Sequence, residues 1–553
     1  MIRAGRRGFA AIAALLFAAA GGLAQAPPPS ARLGKIDFET SGSPTSQAQF
    51  LNGALLLHSF EFEDAATAFR KAEEIEPGFA MAYWGEAMTY NHPLWAEQDR
   101  DAALKALAKL APTPEARRAK APTLREKMYL DAVEALYGDG DKPARDLAYE
   151  TAMGRLHAEF PDDLDAASLY ALSILGACEG KRVTAEYMKA AAIVEEVFAK
   201  NPEHPGAAHY LIHCYDDPVH APLGMRAARV YAQIAPSATH ALHMPSHIFL
   251  ASGMWPEVVS SNEASWKASV DRAERMKLGP DAHSFHALSW LEYGYLQQGR
   301  YADARKTLAL MERDAAAGAS SGRATAGFAA MRAAYVVETR RWKSDAVALK
   351  GPGDDAHRDL GLFVTGTAAV QSGDRAAAEK ALAAMSPAGD KEAAPSGGSA
   401  HMHGGAAMSY ASGHASADSV LRQLLDAQIL FSKGQRDGAI AAAKAAAAAE
   451  DGLNYEFGPP DVVKPSHELL GEMLLETGKP ADARKEFEAA LARYPGRALS
   501  LLGLARAAAK SGDAAAAKDA YARLAAIWSR ADADLPELAE VRRGAAVKVG
   551  GQS

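Results

Sequence analysis

Seven of the chain's seventeen histidines stand between His204 and His247. Imidazole carries protons near neutral pH and binds transition metals, so this density is the first chemical feature of the sequence. The spacing sharpens it. His209 and His213 are four apart, His243 and His247 are four apart, and each member of the first pair precedes its counterpart by thirty-four residues. Four residues is just over one helical turn and puts both rings of a pair on one face. An interval of thirty-four is a repeat period.

Packed helices lie roughly 8–10 Å apart, so imidazoles reaching from both sides can close on one ion or on a close pair. An all-imidazole set suits copper, zinc or iron and disfavours calcium and magnesium, which want oxygen ligands. Pro245 complicates the second pair, because it removes a backbone donor and is expected to kink its helix or delay the start. His243 is then either aimed inward or carried off the helix, which would leave a three-histidine site with His213 and His247 its firmest members. His240 is expected near the helix start, and His204 and His220 in turns, as rim or supporting residues. Glu86, Asp216, Asp217, Glu263 and Glu292 are the carboxylates near enough to serve as acid, base or ligand support.

The chemistry stays open at this level. An unfilled metal position could activate water for hydrolysis, and a copper or iron pair could handle dioxygen. Two other readings need no metal: recognition of a peptide or protein, without catalysis, or a buried ladder of hydrogen-bonded histidines. There is no phosphate-binding glycine loop, no His-Glu-x-x-His and no nucleophile elbow.

The elements that must position these residues are helices. The chain has 553 residues, too many for one ordinary core, alanine is abundant, and strand-like alternation is nearly absent. A thirty-four-residue unit beginning at Ser46 has Gly53 at position 8, Ala65 at 20, Phe69 at 24, Ala72 at 27 and Pro77 at 32. Leu470, Gly471, Ala483, Phe487, Ala490 and Pro495 repeat that pattern near the end, and Leu211, Tyr215, Gly224 and Pro236 repeat part of it in the middle. This pattern resembles the tetratricopeptide repeat family. The stretches AYWGEAMTYNHPLW, HYLIH and HALHMPSHIF also resemble a group of exported bacterial repeat proteins, from which no active site carries over. The resemblance implies an all-α solenoid, a right-handed superhelix of antiparallel helix pairs, whose first helices line a concave groove able to take a peptide or protein ligand.

The same stripe of the first helices carries further candidates. His58 and His92 occupy equivalent places in the first two units, with Trp84 and Asn91 beside His92, a second or substrate-facing group. Helices are expected over 101–110, 122–137, 143–159, 163–178 and 184–199. Pro93 and Trp95 in NHPLWAEQDR predict an ordered turn, and the segment Asn454 to Pro460 is a turn that no plain repeat needs.

The N-terminus reads as an export signal over residues 1–26, with Arg3, Arg6 and Arg7 before an apolar run and small residues before Pro27. A periplasmic or secreted protein is expected, with no membrane span after signal removal. The formal charge of −8 falls to −11 without those arginines, which excludes a nucleic-acid binder. The organisation expected is a disordered lead-in over 27–45, repeats over 46–386, a flexible insertion over 387–417, repeats over 418–537 and a tail over 538–553. The insertion holds His401, Met402, His403, Met408 and His414, a composition able to catch a soft metal or merely a biased one. Cys178 and Cys214 could form a disulfide in an exported protein; the alternatives are buried small residues, or Cys214 as a ligand beside His213.

Overall fold

The computed structural model of the protein describes residues 31–317, 322–348, 357–386, 414–455 and 457–547. From Arg32 onward they belong to one compact unit. Antiparallel helix pairs succeed one another, among them Pro44–His58 with Phe62–Ile75, Leu124–Leu136 with Lys142–Glu159, Pro205–Cys214 with Ala221–Ile234 and Ser466–Glu476 with Pro480–Arg493. This is the tetratricopeptide-like all-α solenoid that the period implied.

One contact explains why the repeat pattern folds this way. The Phe69 ring is fully buried, and a Cβ built at Gly53 or at Gly85 would stand 2.8 or 2.3 Å from it. The aromatic of a second helix thus lies flat on its own first helix and on the next unit's first helix, because both lack a side chain there. Phe487 repeats the arrangement between Gly471 and Gly503. Burying such a ring contributes about 1.5–3 kcal/mol.

In the less regular part, helices Arg100–Leu110, Leu124–Leu136, Lys142–Glu159, Leu164–Ala177 and Thr184–Lys200 fall where they were expected, and a short helix Pro114–Lys120 is added. Asp163 shows how the sequence starts them: its carboxylate accepts from the Ala166 N–H, capping one of the donors that a helix start leaves free. The turn at Pro93 is a single 3₁₀ turn, Pro93–Trp95, clasped by an antiparallel ladder pairing Asn91 with Gln98 and His92 with Glu97. Among the described residues this is the only strand pairing.

The structure departs from expectation at several points. Residues 32–43 are not a disordered lead-in but an extended strap. Leu33 and Phe38 are buried in it, the Phe38 ring lies 5.0 Å from Phe50, and the Lys35 N–H donates to the Glu203 carbonyl at 2.9 Å. Ile36 and Phe38 alternate with polar residues and share one side of the segment, while Leu33 is set by the turn at Gly34, whose φ is +94°. The expected tail begins with a helix, Leu538–Ala546, whose Gly544 sits against Tyr521. The insertion at 387–417 lies outside the described residues up to 413, and the following helix begins at His414. Both cysteines are buried and free, not bridged. Among the described residues no helix is long and apolar enough to cross a membrane.

Candidate metal centre

Pro205 opens the helix Pro205–Cys214, and the His204 ring caps it by accepting the Ala207 N–H at 3.1 Å. One helical turn separates His209 from His213, and both are buried. The next first helix is broken where Pro245 stands, into Thr239–His243 and Pro245–Ala251. The expected kink is therefore present, and it decides the grouping. His240, on the piece before the break, joins His209 and His213: their three ligand nitrogens lie within 4.8 Å of one another. His243 turns the other way and joins His247 and His286, again within 4.8 Å.

The pairing expected across the repeat is thus replaced by two triads, His209–His213–His240 and His243–His247–His286. They are neighbours. The rings of His213 and His247 are 5.7 Å apart, and those of His240 and His243 are 6.0 Å apart. Among the sequence candidates, His209, His213, His243 and His247 all belong to the triads, two to each. His240, expected near the helix start without a role as ligand, is a member, and His286, on the helix Phe285–Gln297, was missed. Its one signal was the pair His286 and Trp290, four apart and hence on one face.

Proton accounting shows what these rings are prepared for. The His209 Nδ1–H donates to the His58 carbonyl at 2.7 Å, so Nε2 carries a lone pair; it lies 3.1 Å from Nε2 of both His213 and His240. His243 Nδ1 lies 2.6 Å from Asn262 Oδ1, and the Asn262 amide is oriented because its NH₂ donates to the Val258 carbonyl. His247 Nδ1 donates to the Asp216 carboxylate. The Nε2 atoms of His243 and His247 therefore face each other across 3.1 Å, close enough to share one proton or to turn together toward one metal ion. Backbone carbonyl, amide and carboxylate partners of this kind are what fix the tautomer of metal-binding histidines. Burial, together with the neighbouring imidazoles, holds His209, His213, His240 and His243 well below the ordinary histidine pKa. At neutral pH they are uncharged and competent as ligands.

A third cluster, His58, Asp165 and His204, has the same outward form but different protons. His204 Nδ1 accepts from a backbone N–H, so its proton is on Nε2, pointing at Asp165 from 3.5 Å. His58 Nε2 lies 3.0 Å from Asp165 Oδ1, and its Nδ1 lies 2.9 Å from the Tyr210 hydroxyl. Burial would raise the Asp165 carboxyl, but the hydrogen bonds from His204 and His58 overcome it and hold the group below the usual carboxylate range. This cluster is a hydrogen-bonded brace that fixes His58, whose carbonyl in turn holds His209.

The other candidates lie apart from the triads. Trp84 is in the aromatic core with Phe38, Phe50 and Tyr129. The Asn91 amide oxygen accepts from Gln98. His92 stacks on Phe62 at 4.1 Å, and Trp95 links it to His240 at 6.3 Å. Asp217 binds Arg182 and His220, Glu86 binds Lys109, and Glu263 accepts from Tyr295. Glu292 is buried among apolar groups, which raises its carboxyl well above the usual range. Cys214 is in no triad, and burial pushes its thiol far up.

The walls of the centre are aromatic. Phe60 lies 4.3 Å from His209, Tyr231 stacks on His209 at 5.3 Å, and Trp290 lies 4.3 Å from His247. Trp290 is held by the turn that no plain repeat needs. Gly458 has φ +111°, and a Cβ there would stand 2.6 Å from the indole. A cavity of about 40 Å³ touches both triads, with His240, His243, His286, Glu61, Ser269 and Arg272 in its lining.

No family model matches the chain, and no curated protein matches it. Among solved structures it is similar to the APC/C hetero-tetramer Cut9-Hcn1, at 13% identity over 91% of this chain and 96% of that one, with a TM-score of 0.31. It is also similar to yeast Tom70, at 12% identity over 90% and 94% with a TM-score of 0.26. The human IFIT1 dimer with PPP-AAAA gives 13% identity over 89% and 96% and a TM-score of 0.34. Overlaps this loose say nothing about the function of this chain, and its repeat architecture rests on its own helix pairs.

Proposed function

We propose that the six histidines hold a pair of transition-metal ions, one on each triad, and that the protein is a metal-dependent tetratricopeptide-like protein. The observation that carries this is the grouping of six histidines into two adjacent triads, the ligand nitrogens of each lying within 4.8 Å of one another. Three imidazoles per ion leave a coordination position open, which favours catalysis or ligand binding over a closed structural site. The test is elemental analysis of protein purified without an affinity tag or chelator, repeated on the His213→Ala plus His247→Ala double variant. Near-stoichiometric copper, zinc or iron that the variant loses is the expected result. Wild-type protein that neither contains nor takes up these ions would end the reading.

The triads being buried, a peptide ligand would sit elsewhere, and a separate observation favours a place for it. A cavity of about 440 Å³ opens between the late repeats, bounded by Trp342, Lys464, Glu472, Leu502 and Arg506. Recovery of one specific partner, lost in Trp342→Ala and indifferent to chelators, supports recognition there; no partner, or loss on chelation, contradicts it. The export reading places the mature protein in the periplasm or outside the cell, beginning at Pro27, and N-terminal sequencing of the exported product tests it.

A further inference from the structure

We infer that Phe60 decides which molecules reach an ion on the first triad: its ring shuts an apolar cavity off from His209, His213 and His240 and leaves an acidic cavity as the approach. This rests on the metal-pair reading above and adds the residue that sets the selectivity of the site, against uncharged apolar ligands.

Backbone conformation distinguishes Phe60. The helix Pro44–His58 ends with the Glu61 N–H on the Leu56 carbonyl and the Phe60 N–H on the Leu57 carbonyl, each at 3.0 Å, an ending that holds Phe60 in the left-handed region at φ +56°. Later first helices close in the same way on Gly253, Gly299, Gly434, Gly478 and Gly512, with φ between +67° and +81°. Glycine suits the place because it has no Cβ to clash. The described residues include five non-glycines at positive φ, and of these only Phe60 is buried. Such strain in a bulky residue persists only where the surroundings fix it.

What fixes it is the triad. The Phe60 ring stands edge-on to His209 at 4.3 Å and lies within 27° of parallel to His213 at 6.0 Å and to His240 at 5.5 Å. One ring thus covers all three ligands. It also borders a cavity bounded by Leu57, Met88, Leu136 and Leu172, with no histidine in its lining. Asn91, Asp146 and Ser173 in that lining are already bonded, to Gln98, to Lys142 and to the Tyr170 carbonyl. The next residue, Glu61, lines instead the cavity that meets His240, His243 and His286, together with Glu63, Asp64 and Arg272. Three carboxylates against one guanidinium draw cations and polar molecules into that approach. An apolar molecule finds its favourable surface in the first cavity, with the Phe60 ring between it and the ion.

The whole chain, loaded with cupric ion, or with zinc or ferrous ion where cupric ion is refused, is titrated by calorimetry with imidazole and with phenylimidazole. The two probes offer the same ligating nitrogen and differ by one apolar ring. Wild type is expected to bind imidazole, and phenylimidazole no more tightly. In Phe60→Gly, which puts the repeat's own residue at the turn, phenylimidazole is expected to bind roughly 10–100-fold more tightly than in wild type, the gain from burying one phenyl ring, with imidazole little changed. Phe60→Leu keeps a smaller apolar side chain, is expected to show a lesser gain of the same sign, and decides the matter if the glycine variant fails to hold metal. Wild type that prefers phenylimidazole, or variants that gain nothing for it, overturns this inference and leaves the metal pair standing. Wild type that takes up no copper, zinc or iron sinks the metal pair itself, so the two failures are distinguishable.

Discussion

The Nε2 atoms of His243 and His247 lie 3.1 Å apart, while Nδ1 of each is bound on the far side of its ring, to Asn262 and to Asp216. An ion seated on these nitrogens would bind the folded chain and not the unfolded one, so folding and metal binding are expected to be coupled. An ion present at a hundredfold its dissociation constant stabilises the native state by about 2.7 kcal/mol. Calorimetry is expected to show a higher Tm for loaded protein than for chelator-stripped protein. Equal Tm values would contradict the coupling.

Asp216 orients His247 and makes its ring a better donor to a metal. Asp216→Asn keeps an acceptor for the Nδ1 proton but removes the charge. Metal affinity is expected to fall roughly 10–100-fold with little change in fold, read by competition with a chelator of known affinity. Unchanged affinity would show that the carboxylate is incidental.

Gly458 holds a backbone conformation that side chains rarely adopt, against the indole of Trp290. Gly458→Ala is expected to cost about 1–3 kcal/mol through strain and the displaced ring. Because Trp290 packs on His247, the variant should also lose metal faster than wild type, in a stopped-flow chelation assay. Loss of stability with unchanged metal release would separate the turn from the centre.

Arg497 is fully buried, bonded to Glu468 at 2.7 Å, to Tyr293 at 3.0 Å and to Glu338. It ties the late repeats to the helix that carries His286. Arg497→Met leaves the buried Glu338 without its cation and Glu468 with Lys464 alone, and is expected to cost roughly 3–5 kcal/mol, measured by urea unfolding. A cost under 1 kcal/mol would show that the two parts are not coupled here.

His467 lies against Glu486 at 2.6 Å and Asp451 at 3.2 Å, and the hydrogen bond to Glu486 raises it to about 8 despite partial burial. Its folded pKa is above its unfolded value. The stabilisation is therefore complete below about pH 6.5 and is lost as pH rises through about 8. With allowance for solvent screening it amounts to about 1 kcal/mol. Urea midpoints in wild type should fall across that interval more steeply than in His467→Gln, and parallel curves would refute the assignment.

The thirty-four-residue period and the packing of Phe69 and Phe487 were legible in the sequence, because one contact recurs in each good unit. The His-x-x-x-His spacings were legible too, since helical geometry converts four residues into one face. The grouping was not. It depends on Pro245, whose missing donor splits one helix and sends His240 and His243 to different triads, and sequence shows that a break occurs but not where each ring turns. His286 was invisible because its partners are thirty-nine and forty-three residues away. Their approach is made by the packing of the helix Phe285–Gln297 on Trp255–Met276, not by any motif. The third cluster has metal-like residues, and only its proton positions exclude it.

The most direct measurement is anomalous X-ray diffraction from metal-loaded crystals, collected at the absorption edge of the bound ion. The account expects two peaks, one about 2.0–2.1 Å from ring nitrogens of His209, His213 and His240 and the other equally close to those of His243, His247 and His286. Loaded crystals with no peak there, or with the only peak among His58, Asp165 and His204, would contradict it.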